Sequence, residues 1–431
     1  MIARNLERFP DLHPALDNQS ALAEANRCLF CYDAPCTAAC PTHIDVPRFI
    51  KKIATGNLRG SAMTILDANI LGLSCSRVCP VDVLCEGSCV MHRYNKKPIE
   101  IGLLQRYAMD YRYTRDVPFP GPRLPAPGPR VACIGGGPAS LACAAELVRH
   151  GAKAIVFDNR PMPGGLNTYG VAEYKLRPTD SLREVEMIRS MGVGFRQAEV
   201  GNSIPLQDLE AQFDFIFIGV GLGAMERLGI PGEHLPGVID ALRFIERYKT
   251  QPDFQVGRNV LVIGAGNTAI DAANAAVRLG AANVHLFYRR TEKEMPAFPF
   301  EYDHSKVEGV RFHWLAQPVA ILEENGRAAA VKFIQTKLVE RKPQPVPGTE
   351  YEVTCDMVIP ALGQSRLTAQ LPVETQAGTI VVDRPTGRTS NPKYYAGGDC
   401  VNGGREVVDA VADGKRAALG ICGAAQESFH G

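Results

Sequence analysis

The sequence predicts a multidomain α+β chain: an all-α, cysteine-rich N-terminal part followed by two doubly wound, Rossmann-like α/β units. Three observations predict it. Eight of the 13 cysteines lie between Cys28 and Cys89. A strand–glycine–helix–strand pattern then occurs twice, first as RVACIGGG, PASLACAAELVRHG and AKAIVFD, later as NVLVIGAG, NTAIDAANAAVRLG and NVHLFYRR. Between these parts runs VPFPGPRLPAPGPR, residues 117–130, whose six prolines exclude helix and central strand and mark an extended linker.

The N-terminal part reads as short helices between cysteine loops. In DVPRFIKKIATG, Val46, Phe49, Ile50 and Ile53 share one helical face, with Asp45 as N-cap, Pro47 in the first turn and Gly56 as the stop. IGLLQRYAMDYRY reads as a second amphipathic helix before the linker. The five cysteines outside the cluster (Cys133, Cys143, Cys355, Cys400 and Cys422) read as small buried hydrophobes.

Bulk properties narrow the function classes. A chain of 431 residues with 45% hydrophobic content holds two to three domains with real cores. A net charge of +1 without a basic stripe excludes a nucleic-acid binder. No apolar run approaches the ~18 residues of a membrane span, so no membrane partner is expected. MIARNLERFPDLHPALD lacks the apolar core of a secretory signal, which makes the cytoplasm the expected location. In a reducing compartment, clustered thiols point to metal ligation or redox chemistry rather than to disulfides.

The first cysteine run, CLFCYDAPCTAACP, is spaced C-x2-C-x4-C-x3-C-P. The second comprises Cys75, Cys79, Cys85 and Cys89. Zinc sites pair their ligands in separated knuckles, whereas closely spaced thiolates closed by Cys-Pro suit iron–sulfur cubanes, in which the fourth cysteine crosses to the other cluster. Counting alone makes all eight cysteines, Cys75 included, the ligands of two clusters.

In GGGPAS, Gly135 permits the tight turn after the strand and Gly137 lets backbone approach a pyrophosphate at the helix N-terminus. Asp158 ends the next strand, where a carboxylate can accept from a ribose. The third glycine of the pattern is replaced by Ser140. GAGNTA repeats the arrangement with Gly264 and Gly266. The expected acid is here replaced by Arg289 and Arg290, a pair suited to a 2′-phosphate that favours NADP over NAD. Near the C-terminus YYAGGDC, with Gly398 and Asp399 before a helical run, can set a carboxylate and a helix N-terminus by a flavin's ribityl phosphate.

With these motifs in place, the chain resembles the small-subunit family of glutamate synthase and, more closely, the electron-input (FAD/iron–sulfur) subunit of bacterial NAD-dependent dihydropyrimidine dehydrogenase. CLFCYDAPCTAACP, NILGLSCSRVCP, LCEGSC and PIEIGLLQRYA are the most specific stretches. The resemblance implies a double [4Fe-4S] domain over 1–116, an FAD domain over 131–250 and 356–431, and an NAD(P) domain over 251–355 inserted into it. It assigns Cys28, Cys31, Cys36 and Cys89 to one cluster, and Cys40, Cys79, Cys85 and Gln105 to the other, so Cys75 becomes a bystander, against the count. For FAD it implies Gly135, Gly137, Ala139, Asp158, Gly165, Leu166, Lys175, Val200, Gly398, Asp399 and Val407. For NAD(P)H it implies Gly264, Gly266, Asn267, Thr268, Arg289 and Arg290. The family has Arg-Leu-Pro where this chain has Lys175-Leu176-Arg177, and its NAD-dependent members also carry arginine in the second nucleotide site, which leaves NAD and NADP both open.

The implied reaction is hydride transfer from NAD(P)H to FAD and single-electron steps through the clusters, with no catalytic side-chain acid or base required. No barrel of ~250 residues is accommodated. An FMN- and iron–sulfur-containing barrel subunit that reduces uracil or thymine is therefore the expected partner, in a hetero-oligomer. The alternatives are a glutamate synthase small subunit, another NAD(P)H:acceptor electron-input subunit, a thioredoxin-reductase-like enzyme and a flavoprotein scaffold with structural zinc. The third needs a C-x-x-C pair beyond Cys89, and none occurs.

Overall fold

The computed structural model describes residues 8–115, 117, 128–368 and 371–430, with side chains to 427. Most of the proline-rich stretch 117–130 lies outside the described residues. Among these residues, no helix is long and apolar enough to cross a membrane. The chain divides into two compact units. The larger comprises 11–168, 175–222 and 366–431; the smaller comprises 1–10, 169–174 and 223–365.

The larger unit begins with six helices: α1 (Asn18–Asn26), α2 (Pro35–Ala39), α3 (Val46–Ala54), α4 (Leu58–Ala68), α5 (Gly72–Val78) and α6 (Ile101–Thr114). The sequence logic of α3 holds in detail. Asp45 accepts from the Arg48 N–H at 3.1 Å as N-cap. Val46, Phe49, Ile50 and Ile53 are buried along one face, each contributing about 1.5–3 kcal/mol of apolar burial. They pack with Ile65 and Leu66 of α4 and Leu104 and Met109 of α6 in one core.

A parallel sheet follows in the same unit. Its strands are β1 (Arg130–Ile134), β2 (Lys153–Asp158), β3 (Gly194–Gln197), β4 (Phe215–Ile218) and, after the insertion and the short hairpin of β13 (Thr375–Gln376) and β14 (Thr379–Ile380), β15 (Tyr394–Ala396), ordered β15-β4-β1-β2-β3. Strand β1 has β2 on one side and β4 on the other, which makes its C-terminal end the switch point of a doubly wound fold. Helices α7 (Pro138–Arg149), α8 (Leu166–Tyr169), α9 (Pro178–Ser190), α10 (Leu206–Gln212), α14 (Asp399–Asn402) and α15 (Val407–His430) complete this lobe, where α7 and α15 pack together.

In the smaller unit, a second parallel sheet is ordered β12-β5-β6-β7, from β5 (Asn259–Ile263), β6 (Asn283–Tyr288), β7 (Arg311–Trp314) and β12 (Met357–Pro360). An antiparallel layer of β8 (Ala316–Glu324), β9 (Arg327–Val339), β10 (Lys342–Pro345) and β11 (Tyr351–Thr354) lies against it, with Phe287 stacked on Phe333 at 4.1 Å. Helices α11 (Ala241–Thr250), α12 (Asn267–Leu279) and α13 (Pro299–Val307) belong here.

These pairings correct the expected boundaries. The insertion spans 223–365, not 251–355, because β12 hydrogen-bonds along β5 and α11 packs on α12 and β12. Segment 169–174 also belongs to the smaller unit, where the Tyr174 hydroxyl donates to Asp271 at 2.8 Å. So do residues 8–10, with Phe9 fully buried and stacked on Tyr248 at 5.2 Å, rather than to the helical domain.

Within the larger unit, a polar seam joins the helical lobe to the first sheet lobe. Glu184 of α9 is 1% exposed and accepts from the Leu73 and Ser74 N–H groups at 2.8 and 3.1 Å, and from the Ser74 hydroxyl. These are donors of the first turn of α5, which no helix can satisfy internally. Beside it Asp11, Arg77, Arg106, Asp110, Arg177 and Asp180 form a network of ion pairs linking α5, α6 and α9.

Burial pushes the Glu184 carboxyl up from 4.5 to about 8. A carboxyl raised on folding contributes stability that is present below about pH 4.5 and lost as pH rises through about 8. Differential scanning calorimetry of the whole protein across pH 5–8 should show the melting temperature of the wild type falling relative to that of Glu184→Gln, a group that does not titrate. Glu184→Ala leaves two amide donors buried, a loss of about 1–3 kcal/mol per group, and should melt lowest. Parallel curves for wild type and Glu184→Gln would rule out the buried carboxyl as the source.

Candidate functional site

The structure sorts the clustered thiols into two groups. Cys28, Cys31, Cys36 and Cys89 line one pocket, closed by apolar side chains such as Val46, Ile50 and Ile99. Cys40, Cys79, Cys85 and Cys75 form the other neighbourhood, Cys79 and Cys85 both feeling the charge of Cys40. Each run thus gives one cysteine to the other's group: Cys89 joins the first run and Cys40 joins the second. Among the described residues, no three His, Cys, Asp or Glu side chains converge as ligands of a single ion.

Burial and mutual charge keep these clustered thiols protonated unless a cation balances them. Burial, then the charges of Cys28 and Cys89, push Cys36 up to about 12. Burial and the neighbouring Glu86 and Cys40 raise Cys85. Cys79 is raised first by its hydrogen bond with Cys75, then by burial. Such crowded sulfurs become thiolates together only when cationic metal balances them.

Gln105 lies on α6 and is 8% exposed. Its Nε2 donates to the Gly72 carbonyl at 2.8 Å, which leaves the amide oxygen as the uncommitted end among the described contacts. Glu86, next to Cys85, accepts from Gly102 N–H at 2.9 Å and so fixes the first turn of α6 against the cysteine loop. Burial pushes this carboxyl up to about 7.

The first glycine loop sits at the switch point of the larger unit's sheet. Gly135 has φ +92°, and a Cβ there would meet the Gly219 carbonyl at 2.5 Å, so only glycine fits. At Gly137, the N-cap of α7, an added Cβ would meet nothing within 4 Å, and this open ground before the helix N-terminus is where a phosphate can lie. Ala139 lies in the first turn of α7, and a Cβ on Gly398 would come within 2.9 Å of it. That brings the Gly398–Asp399 turn to the same helix end, with Ala410 of α15, the helix that Val407 starts, 3.6 Å from the same added Cβ. Gly165 closes the loop from the other side, since a Cβ there would meet Gly137 Cα at 2.8 Å.

Asp158 accepts from Gly136 N–H and, at 2.7 Å, from Arg160 N–H. Burial raises its pKa while these two bonds lower it. Asp399 accepts from Arg405 N–H at 3.1 Å and is likewise raised by burial. Leu166 starts α8 and is 38% exposed. Lys175 is half-buried in the approach to α9, and Val200 is half-buried beyond β3, bridged to Ile204 and packed on the cluster containing Ile134 and Phe157.

Asn167 escaped the sequence reading. It is 2% exposed, and its Oδ1 is buried without a hydrogen-bond partner, on α8 just after Gly165, which packs against Gly137. A buried acceptor of this kind fits a ligand that supplies an N–H donor. Its signal in the sequence was its place directly after Gly164-Gly165-Leu166.

The second glycine loop repeats the plan in the smaller unit. Gly264 has φ +132°, and its missing Cβ makes room for the Ala361 carbonyl. Gly266 caps α12 with open space before it. Asn267 is turned inward, its Oδ1 accepting from Phe298 N–H at 3.0 Å, and Thr268 follows in the first turn. Arg289 and Arg290 lie just beyond β6, one and two residues past Tyr288, the counterpart of Asp158 in the first sheet. Arg289 is exposed and Arg290 half-buried, and among the described residues neither guanidinium has an ion pair or hydrogen bond. Both loops therefore fit dinucleotides, with the charge beyond the second strand inverted.

Residues 129–414 match the family described as pyridine nucleotide-disulphide oxidoreductase, and residues 5–117 match that described as dihydropyrimidine dehydrogenase domain II, 4Fe-4S cluster. The glutamate synthase [NADPH] small chain of Escherichia coli K12 is 36% identical over 96% of this chain and 93% of its own length. The NADP(+)-dependent formate dehydrogenase subunit beta of Moorella thermoacetica is 37% identical over 90% of this chain and 59% of its own. Mycobacterium tuberculosis FprA in complex with NADPH shares the fold, with a TM-score of 0.58 at 20% identity over 70% of this chain and 86% of its own. A bipartite cysteine lobe and two open glycine loops are what these relationships lead one to expect, and the chain belongs to the pyridine nucleotide-disulphide oxidoreductase family, in the group with an N-terminal 4Fe-4S domain that includes the glutamate synthase small chains.

Proposed function

We propose that this chain is an electron-input subunit that takes a hydride from NAD(P)H and delivers single electrons to a partner subunit. The observation that carries this reading is the joining of cysteine lobe and first glycine loop within one compact unit, through the Glu184 seam. Bound FAD and [4Fe-4S] clusters would supply the conversion from two-electron to one-electron chemistry. The protein's residues bind and orient. The α7 N-terminus with Gly137 and Asp399 would hold the FAD phosphates, Asp158 the ribose, and Asn167 an N–H edge of the ring system. Cys28, Cys31, Cys36 and Cys89 would ligate one cluster, and Cys40, Cys79, Cys85 and Gln105 the other. Gly266, Asn267 and Thr268 would receive the nicotinamide dinucleotide, with Arg289 and Arg290 reaching a 2′-phosphate.

For the final acceptor we favour a pyrimidine, uracil or thymine, reduced on an FMN- and iron–sulfur-containing barrel partner in a cytoplasmic hetero-oligomer. The helical lobe's match to a dihydropyrimidine dehydrogenase domain supports this. The second reading, a glutamate synthase small subunit, draws on the near full-length similarity to such a chain. A disulfide-reducing role lacks its chemistry, since no C-x-x-C pair follows Cys89. Tagging the chain in its native cells and identifying the stoichiometric partner decides between the two. A barrel subunit whose complex oxidises NAD(P)H on addition of uracil supports the first; a large amidotransferase chain overturns it.

Replacing Arg289 and Arg290 with alanine should raise the KM for NADPH far more than that for NADH. The loss is about 1.5–3 kcal/mol per charge-assisted bond at most. Steady-state kinetics with an artificial electron acceptor measures both. Equal changes for the two coenzymes would show that the pair does not read the 2′-phosphate.

Iron, sulfide and flavin content per chain tests the ligand assignment. Cys79→Ala should lose one cluster's iron, and Gln105→Ala should disturb the same cluster, while both retain FAD. Asn167→Leu should do the reverse, keeping iron and weakening flavin retention. A Gln105→Ala protein with unaltered iron and cluster spectra would remove Gln105 from the ligand set.

A further inference from the structure

The arginine pair beyond β6 is held by a closed ring of hydrogen bonds. The Leu315 amide donates to the Arg290 carbonyl at 3.0 Å, and the Thr336 amide donates to the Leu315 carbonyl at 2.8 Å. The Thr336 hydroxyl then donates to the Arg289 carbonyl at 2.8 Å and closes the ring. Thr336 lies on β9 and is 4% exposed. Leu315 joins β7 to β8 with φ +56°, a left-handed conformation that a leucine keeps only where its surroundings impose it. The chain on either side of the pair is tied as well. The Tyr288 hydroxyl donates to the Glu294 carbonyl at 3.0 Å, and Thr291 and Glu294 form a capping box around the short turn that follows. Two long cationic side chains therefore leave a backbone that is fixed at both carbonyls.

We propose that Thr336 and Leu315 are positioning residues for coenzyme choice, fixing the Arg289–Arg290 backbone so that both guanidinium groups meet a 2′-phosphate together. The inference rests on the assignment of that pair to the 2′-phosphate. An arginine on a loose loop must order backbone and side chain together when it binds an anion. Here the fold has already ordered the backbone, and only the side-chain rotamers remain to be fixed. The ring engages the carbonyls of the pair, which leaves the guanidinium groups to the ligand. A coenzyme without the 2′-phosphate gains nothing from this arrangement, so the ring acts on specificity rather than on dinucleotide binding as such.

Calorimetric titration of the full-length holoprotein with adenosine 2′,5′-bisphosphate and with adenosine 5′-monophosphate tests it. The two probes differ in the 2′-phosphate alone, and neither is turned over. Thr336→Val keeps the shape of the side chain and both backbone bonds while removing the hydroxyl. It should cut the preference for the bisphosphate by about two- to tenfold, the loss of one hydrogen bond, and leave the monophosphate affinity unchanged. Thr336→Ser restores a hydroxyl and should restore the preference, which a purely packing role would not produce. By linkage, the bisphosphate tightens the ring as much as the ring favours the bisphosphate. In the unmodified protein, amide hydrogen exchange of the segments holding Leu315 and Thr336 should therefore be slower with the bisphosphate bound than with the monophosphate. This measurement decides the matter if Thr336→Val fails to fold. An unchanged preference in Thr336→Val, equal weakening of both probes, or equal exchange with either probe bound would overturn the inference. The 2′-phosphate assignment survives that outcome if replacing Arg289 and Arg290 with alanine still abolishes the preference. An unmodified protein that binds both probes alike would overturn the assignment and the inference together.

Discussion

The exchange of one cysteine between the two runs is the constraint on which the N-terminal lobe depends. Cys89 closes the pocket begun by Cys28, Cys31 and Cys36, and Cys40 sits with Cys79 and Cys85. Neither group is complete until both loops are folded around the helices between them. The apolar face of α3 and the burial of α4 and α6 hold those loops in place. Sulfurs this crowded and this buried resist ionisation singly, so helix packing, metal affinity and thiol acidity are one coupled problem.

The Glu184 seam extends that coupling into the first sheet lobe. The carboxyl of α9 satisfies the amide donors at the start of α5, and α5 leads directly into Cys75 and Cys79. The Arg77 and Arg106 ion pairs flank the same junction. The link from α9 to the second cysteine group therefore runs through hydrogen bonds and ion pairs rather than through loops. The smaller unit has its own core and its own glycine loop, organised on the same plan with the opposite charge beyond its second strand.

Much of this was legible in the sequence because local rules decide it. The N-cap at Asp45, the buried face of α3, both strand–glycine–helix units and the arginine pair follow from periodicity and from the sterics of Gly135 and Gly264. The exchange of Cys89 and Cys40 between the runs was implied by resemblance to known proteins, while the eighth ligand, Cys75 by count or Gln105 by resemblance, belongs to the proposed ligand set. The insertion's limits were not legible, because β12 and α11 are assigned by pairing with residues far away in the chain. Phe9 and Tyr174 likewise find their partners in α11 and α12 through contacts no short window contains. Asn167 was missed because an unpaired buried acceptor is a property of three dimensions.

The pairing of β15 with β4 has a consequence for biosynthesis. Ile216 and Tyr394 lie side by side in the finished sheet, yet the whole inserted unit separates them in the chain. The smaller unit emerges from the ribosome complete, with the chain entering and leaving it through the paired backbone of Gly223 and Ser365 at 2.8 Å. The first sheet must wait with an open edge until the last strand is made. Gly398 and Asp399 arrive only after that strand, so the α7 N-terminus acquires its full ligand shell last of all. Of the two nucleotide sites, the one encoded first is the one finished second.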